Sequence, residues 1–458
     1  MKVLKFGGTS VGTVESLRNV KKIVENIEGP SVTVVSALGG LTDRLIATAR
    51  MAASGDLAYH SEMGAIRERH NLIIDGVVRE DRRESVRETV ESLLDGLARL
   101  YDGIALIGDL PEKTLDIAVS FGERISSHIV AAMIEGADRR DSLEFVKTEK
   151  WFNRNIADTA LTDELIRKEF ESNPPVRAIV PGFISTDRDT GEITNLGRGG
   201  SDFTAALLAA SLDAEVLEIW TDVDGFMTAD PRIIQGAQVI PAMSFVESME
   251  LCSYGAKVIY PPTIYPVFHK NIPIRILNTF KPETPGTYIS DRDSSEADGT
   301  VTGVSAIRNT RLMTLRGEIT GNVASINTRT FNAMARNGVS VLLVSQPDQE
   351  SGFSFALSDI DSEKARKALI EEFAPELADG ELEAIEELHE LSTLAVVGNN
   401  IRKITGLGAR MRNTLSRSGI EVAAHCEGTS ATTVTLMIPR EETDRAMRLI
   451  HSLFFGHE

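Results

Sequence analysis

Short apolar, β-branched runs alternate along the first half of the chain with longer stretches whose apolar positions recur every three or four residues. Val3–Phe6, Ser31–Ala37, Arg177–Ser185, Glu215–Thr221 and Pro273–Asn278 read as strands. Several are apolar on both faces, as buried parallel strands are. Between the first two, Val14, Leu17, Val20, Ile23 and Ile27 mark one face of a helix over Thr13–Ile27, with Thr13 as its N-cap and Glu15 in its first turn. Strand, helix, strand in that order predicts a three-layer α/β/α domain around a mainly parallel sheet. Met51–Leu106 reads mostly as charged amphipathic helix added at the sheet edge.

A break follows. Lys281–Thr300 concentrates Pro, Gly, Ser and Asp and reads as a linker with surface loops. Beyond it the chain repeats itself: "FNAMARNGVSVLLVSQ" (Phe331–Gln346) matches "RNTLSRSGIEVAAHCE" (Arg412–Glu427) at an offset of 81 residues. Each copy reads as a helix, a glycine turn (Gly338, Gly419) and a β-branched strand, with a second strand after it at Gly352–Leu357 or Ala431–Ile438. Two such units in tandem predict a pair of small ferredoxin-like domains.

Composition narrows the chemistry. With 458 residues the chain is long enough for two or three domains. A formal charge of −19 argues against nucleic acid and anionic membranes as main partners, and makes any anion site depend on locally gathered basic residues. Cys252 and Cys426 make no disulfide framework, and neither they nor the eight histidines show metal-ligand spacing. The N-terminus lacks a signal-peptide shape and no apolar run approaches a membrane span, so the expectation is a cytoplasmic protein.

"KFGGTS" (Lys5–Ser10) sets a lysine and a glycine pair at a strand end, but it is neither a Walker loop nor G-x-G-x-x-G. Alone it is a tight turn as readily as a phosphate cradle. In "NLGRGGSDFTAALLAASL" (Asn195–Leu212), Gly197, Gly199 and Gly200 form a loop before an apolar helix, Phe203–Leu212, which Ser201 or Asp202 can cap. Such loops bind anions with backbone N–H groups, and Arg198 adds a planar charge suited to a carboxylate. The alternative is an ordinary capped helix with a solvated arginine. "WTDVDGFMTADPR" leaves a buried strand through Thr221 and Asp222, with Arg232 soon after, where α/β sheets bind ligands. Lys257 follows Gly255, which ends the helix Phe245–Tyr254, and Glu123 in "SFGERISS" follows a glycine at a strand-to-helix junction. Taken singly, these last motifs fit plain turns and surface charges better.

In this order, "KFGGTSVG", "SFGERISS", "NLGRGGSD", "WTDVDG", "TADPR" and "GAKV" resemble aspartate kinases, over nearly the whole chain. The resemblance implies an amino-acid kinase domain over 1–293 and a regulatory region over 294–458. That region would hold two ferredoxin-like βαββαβ ACT domains, about 312–385 and about 390–458. It implies ATP with Mg²⁺ and L-aspartate as ligands, 4-phospho-L-aspartate as product, and the first step toward lysine, threonine and methionine. It makes "KFGGTS" a phosphate cradle. It puts Thr42, Glu123, Arg198, Ser201 and Asp202 at the aspartate site, and Lys5, Phe6, Gly7, Gly8, Thr221, Asp222, Met227, Arg232, Lys257 and Val258 at the ATP site. Met227 stands where the family usually has tyrosine, and Tyr260 where it has histidine.

A substrate carboxylate with an ordinary pKa of about 3.9 is already ionised at neutral pH, so no general base is required. Positioning and charge remain. Lys5 with the Gly7 and Gly8 amides would meet the transferring phosphoryl, and Lys257 would support it. Asp202 would orient Lys5 or a metal-bound water. Arg198 would fork the α-carboxylate and Glu123 take the α-ammonium. Gln346 and Glu427 fall at equivalent ends of the repeat strands. A glutamine there resembles threonine-sensitive members, so threonine is favoured over lysine as effector, with a homodimer or dimer of dimers through the ACT domains. Rival readings are another amino-acid kinase and a non-catalytic ACT sensor. A fused dehydrogenase would need several hundred more residues.

Overall fold

Strand, helix and strand form at the start of the chain as the pattern predicts, over Lys2–Phe6, Val14–Glu25 and Ser31–Val35. Thr13 is the N-cap, and its side chain and that of Ser16 satisfy each other's backbone N–H in a capping box. Leu17, Val20, Ile23 and Val24 bury the face that the spacing marks. The structure is a computed structural model that describes residues 1–151, 154–172, 174–291, 299–317, 323–345, 353–427 and 432–456. It divides into two compact units. The first comprises Met1–Phe226, Val239–Phe245 and Val258–Asp291; the second comprises Met227–Gln238, Val246–Lys257 and Arg292–Glu458.

The first unit is built on an eight-stranded sheet. From one edge its strands are Ala242–Ser244, Thr287–Ser290, Ile274–Asn278, Val216–Thr221, Lys2–Phe6, Ser31–Val35, Arg177–Pro181 and Ala137–Arg139. The six from Ile274–Asn278 onward run parallel, and Thr287–Ser290 pairs antiparallel with Ile274–Asn278 and parallel with the edge strand Ala242–Ser244. Thr287–Ser290 lies in the stretch expected to be linker. Its burial at Thr287 and Ile289 against the neighbouring strand overrides the turn-rich composition. Arg177–Ser185 is two strands, because Phe183 at φ 68° breaks the run between Pro181 and Ile184.

Helices Leu41–Ala53, Ala58–Val77, Glu80–Ile107 and Glu112–Met133 pack Leu45, Ile66, Leu94, Tyr101 and Ile125 into one core with Leu4 and Phe6. "SFGERISS" therefore lies inside a 22-residue helix rather than at a strand-to-helix junction. Gly122 serves close packing instead of a turn: a Cβ there would approach that of Ala37 to 2.7 Å. The helix Gly200–Ser211 is capped by Gly199 at φ 71°, not by the Ser201 or Asp202 side chain, both of which sit in its first turn.

The second unit contains a six-stranded antiparallel sheet in the order Val341–Ser345, Phe353–Ser358, Thr300–Arg316, Ala384–Asn399, Thr433–Pro439, Ala424–Glu427. The sequence repeat is real in three dimensions. Helices Val323–Arg336 and Leu407–Arg417 each turn at a left-handed glycine, Gly338 (φ 62°) or Gly419 (φ 74°), into an edge strand. The two central strands are long and shared: Val304–Arg308 pairs with Ser392–Val396, and Leu312–Arg316 with Ala384–Leu388. Apolar clusters form around Phe353 and Leu369, around Leu394, Met411 and Ile450, and around Leu343, Ala356 and Met437. Ala229 is buried in the second cluster, Val304 N–H donates to Thr228 O (2.8 Å), and Thr433 donates to Glu250 (2.9 Å). Among the described residues no helix is long and apolar enough to cross a membrane.

Candidate active site

Three parallel strands, Lys2–Phe6, Ser31–Val35 and Arg177–Pro181, end on one cavity of about 300 Å³ in the first unit. Its walls include Lys5, Gly8, Gly39, Gly40, Thr42, Glu123, Phe183, Gly199, Ser201 and Asp202. Two loops follow adjacent strands and press backbone on backbone. A Cβ at Gly39 would stand 3.0 Å from Gly8 O, and one at Gly8 3.3 Å from Ala37 O, so only glycines close this wall. The Arg69 guanidinium ties the same two loops, donating to Gly12 O (3.1 Å) and Gly39 O (2.8 Å).

Helices Leu41–Ala53 and Gly200–Ser211 both begin at the cavity. Each has a left-handed glycine N-cap and no side-chain cap, which leaves first-turn N–H groups and the positive helix end to a ligand. Lys5 Nζ lies 2.7 Å from Asp202 Oδ1, with both side chains only 12% exposed. Ser36 Oγ donates to Ser201 Oγ (3.0 Å), joining the second strand end to the second helix.

Glu123 enters from the middle of its helix. Ala37 N–H donates to Oε1 at 3.0 Å, while Oε2 is buried without a partner among the described residues. Burial outweighs that bond and pushes the carboxyl up to about 8, so it is mostly neutral at pH 7 in the empty cavity. A buried acceptor with nothing to accept from, facing a site rich in donors, is suited to a ligand ammonium.

The cavity gathers Lys5, Gly8, Thr42, Glu123, Ser201 and Asp202, with Gly7 adjacent in the chain. Arg198 is exposed between Gly197 and Gly199, which both line the wall. Phe6 departs from its assignment to the nucleotide: its ring is fully buried and stacked on Trp220, centroids 5.9 Å apart. Thr221 donates to Asp222 (3.3 Å) at the end of its strand, outside this cavity. Val258 is half-buried in the first unit, whereas Met227, Arg232 and Lys257 belong to the second. Arg232 is 79% exposed and forks onto Asp230 (2.7 and 3.0 Å). Gln346 lies outside the described residues. Glu427 ends its strand with its carboxylate against Gly408, in the first turn of helix Leu407–Arg417.

Sequence reasoning missed Gly39 and Gly40, although "LGG" after the second strand echoes "FGG" after the first. It also missed Arg69, which sits on a distant helix and carried no signal. Tyr260, where the family has histidine, packs against Gly199, on which a Cβ would collide with its side chain, so it buttresses the glycine loop.

A parallel sheet whose strand ends present a lysine, two glycine loops and two uncapped helix starts defines an anion-binding α/β protein. The chain belongs to the amino acid kinase family, whose profile matches residues 1–278; an ACT-domain profile matches 394–454. It is 32% identical to the bifunctional aspartokinase/homoserine dehydrogenase of Haemophilus influenzae, covering 100% of this chain and 57% of that protein. It is 31% identical to the chloroplastic bifunctional aspartokinase/homoserine dehydrogenase 1 of Arabidopsis thaliana, covering 99% and 51%. The chain spans about half the length of these curated relatives. Escherichia coli aspartokinase III in complex with aspartate and ADP superposes with a TM-score of 0.85 at 28% identity, covering 99% of this chain and 100% of that one. Its complex with lysine and aspartate gives 0.74 at 28%, covering 99% of each.

Proposed function

We propose that this protein is an aspartate kinase. It transfers the terminal phosphoryl of MgATP to the side-chain carboxylate of L-aspartate, giving 4-phospho-L-aspartate and ADP, the entry to lysine, threonine and methionine. The observation that carries this reading is the cavity that joins the Lys5–Asp202 pair to the orphaned Glu123 carboxyl. The likeness to a solved aspartokinase holding aspartate and ADP supports it.

The substrate carboxylate is the nucleophile and is ionised without help. Lys5, held in place by Asp202, meets charge on the transferring phosphoryl as the Gly7 and Gly8 amides support it. Glu123 takes the α-ammonium, and Arg198 folds over the α-carboxylate. Ser201 and Thr42 contribute polar contacts from two helix starts. Thr221, Asp222, Met227, Arg232, Lys257 and Val258 serve the nucleotide. Mg²⁺ would arrive on the phosphates of ATP.

Residues 1–293 form the catalytic part and 294–458 the regulatory part, with ACT domains near 312–385 and 390–458, in a cytoplasmic homodimer or dimer of dimers. Threonine, bound near Gln346, is the favoured effector over lysine. The Glu427 carboxylate against Gly408 supports a second niche filled by the chain itself. A hydroxamate-trapping assay with ATP and aspartate, repeated with glutamate, carbamate and UMP as acceptors, tests the reaction. Equal turnover of another acceptor, or none at all, overturns it.

A further inference from the structure

The helix Glu112–Met133 carries a second acid toward the substrate wall. Asp116 lies seven residues before Glu123, two turns along the same face and about 10 Å away along the axis. It is 9% exposed, and its Oδ1 accepts from Asn195 Nδ2 at 2.6 Å. The other end of the same amide, Asn195 Oδ1, accepts from Gly197 N–H at 2.9 Å. Gly200 N–H then closes onto Gly197 O at 3.0 Å. This chain of bonds, with Tyr260 packed against Gly199, fixes a loop in which Gly197 and Gly199 are both left-handed, at φ 70° and 71°, and Arg198 between them is exposed.

We infer that Asp116 is a positioning residue for the Gly197–Gly200 loop, setting through Asn195 where Arg198 meets the substrate carboxylate. The inference rests on the assignment of the cavity to aspartate. Asn195 alone, able to rotate about its terminal bond, offers Gly197 either an acceptor or a donor. A carboxylate on its Nδ2 leaves only the acceptor facing the loop. An ionised partner holds that orientation more strongly than a neutral one.

Burial, with Glu112 one turn earlier, pushes Asp116 up to about 6, against the opposing pull of Asn195. Across the helix–strand contact, the nearby charges are Lys113 and Glu192, which pair with each other. The loop is therefore held by a charged acceptor above pH 6 and by a weaker neutral one below it.

The test compares wild type, Asp116→Asn and Asp116→Ala. Asn keeps the acceptor and the shape but cannot titrate. Exchanging a charge-assisted bond for a neutral one should raise the aspartate KM about 5-fold at pH 7.5, and removing the acceptor should raise it about 10-fold or more. The ATP KM and kcat should stay within about 2-fold. The inflection near pH 6 in the kcat/KM profile for aspartate should vanish in Asp116→Asn. An unchanged aspartate KM in Asp116→Ala, or an inflection near pH 6 that survives in Asp116→Asn, overturns the inference. Should Asp116→Ala misfold, the Asn variant carries the test alone. Hydrogen exchange of the 195–200 amides without ligand, which should quicken below pH 6 in wild type only, separates failure of this inference from failure of the aspartate assignment.

Discussion

Glu123 should release a proton when aspartate binds. With its carboxyl lifted to about 8 in the empty cavity, roughly nine molecules in ten hold it neutral at pH 7. An α-ammonium brought against the orphaned Oε2 makes the ionised form the favoured one. Binding at pH 7 then expels ~0.9 proton, and the aspartate KM carries a factor of 1 + 10^(pKa − pH). That factor falls ~8-fold between pH 7.0 and 8.5, as Glu123 loses its proton in the free enzyme. The ATP KM should stay level. Initial rates across this range give the KM slope, and calorimetry in two buffers of different ionisation enthalpy counts the protons. Glu123→Gln should raise the aspartate KM and flatten the slope.

Stability carries the same signature with its own sign. A raised carboxyl favours folding fully below its unfolded value near 4.5, and that contribution is lost as pH rises toward 8. Glu123→Gln should therefore gain stability relative to wild type at pH 8.5 and less at pH 5, read from unfolding midpoints. A level aspartate KM from pH 7.0 to 8.5, with no proton released on binding, would refute the ammonium assignment.

Lys5→Met should lower kcat by ~10²-fold or more with a modest change in the ATP KM, the pattern of an interaction made mainly in the transition state; near wild-type kcat removes Lys5 from the mechanism. Arg198→Ala should cost about 10- to 150-fold in kcat/KM for aspartate, the worth of one charge-assisted bond, and leave ATP affinity alone. Threonine should inhibit by roughly 5- to 150-fold through coupling of ~1–3 kcal/mol, and Gln346→Ala should relieve it without touching basal rate. Full activity in millimolar threonine with inhibition by lysine alone reverses the effector assignment.

Much of the fold was legible because burial follows periodicity. The first helix shows this down to its cap, and the repeat predicted two helix–strand units at the right glycines. What was not legible depended on long-range packing. "SFGERISS" looked like a junction because glycine before a polar residue usually ends something; here Ala37, 85 residues earlier, needs that space. Ser201 and Asp202 looked like caps because their side chains can cap, but Gly199 took the turn and freed them for the cavity. Arg69 and Asp116 act through backbone or amide groups that no local motif advertises.

The boundary between the parts was least legible of all. The family profile runs unbroken through residue 278, yet Met227–Gln238 and Val246–Lys257 belong to the same compact unit as the antiparallel sheet. The reason is local. Ala229 is buried among Val304, Leu394 and Met411, Thr228 bonds both Val304 N–H and His451 (3.0 Å), and Gly255 must lie against Ala306 O, where a Cβ has no room. Met227, Arg232 and Lys257 are thereby built into the body that holds the repeat, while Lys5, Glu123 and Asp202 are built into the other. Thr228 and Ala229, the chain neighbours of Met227, join that sheet by a hydrogen bond and by shared core.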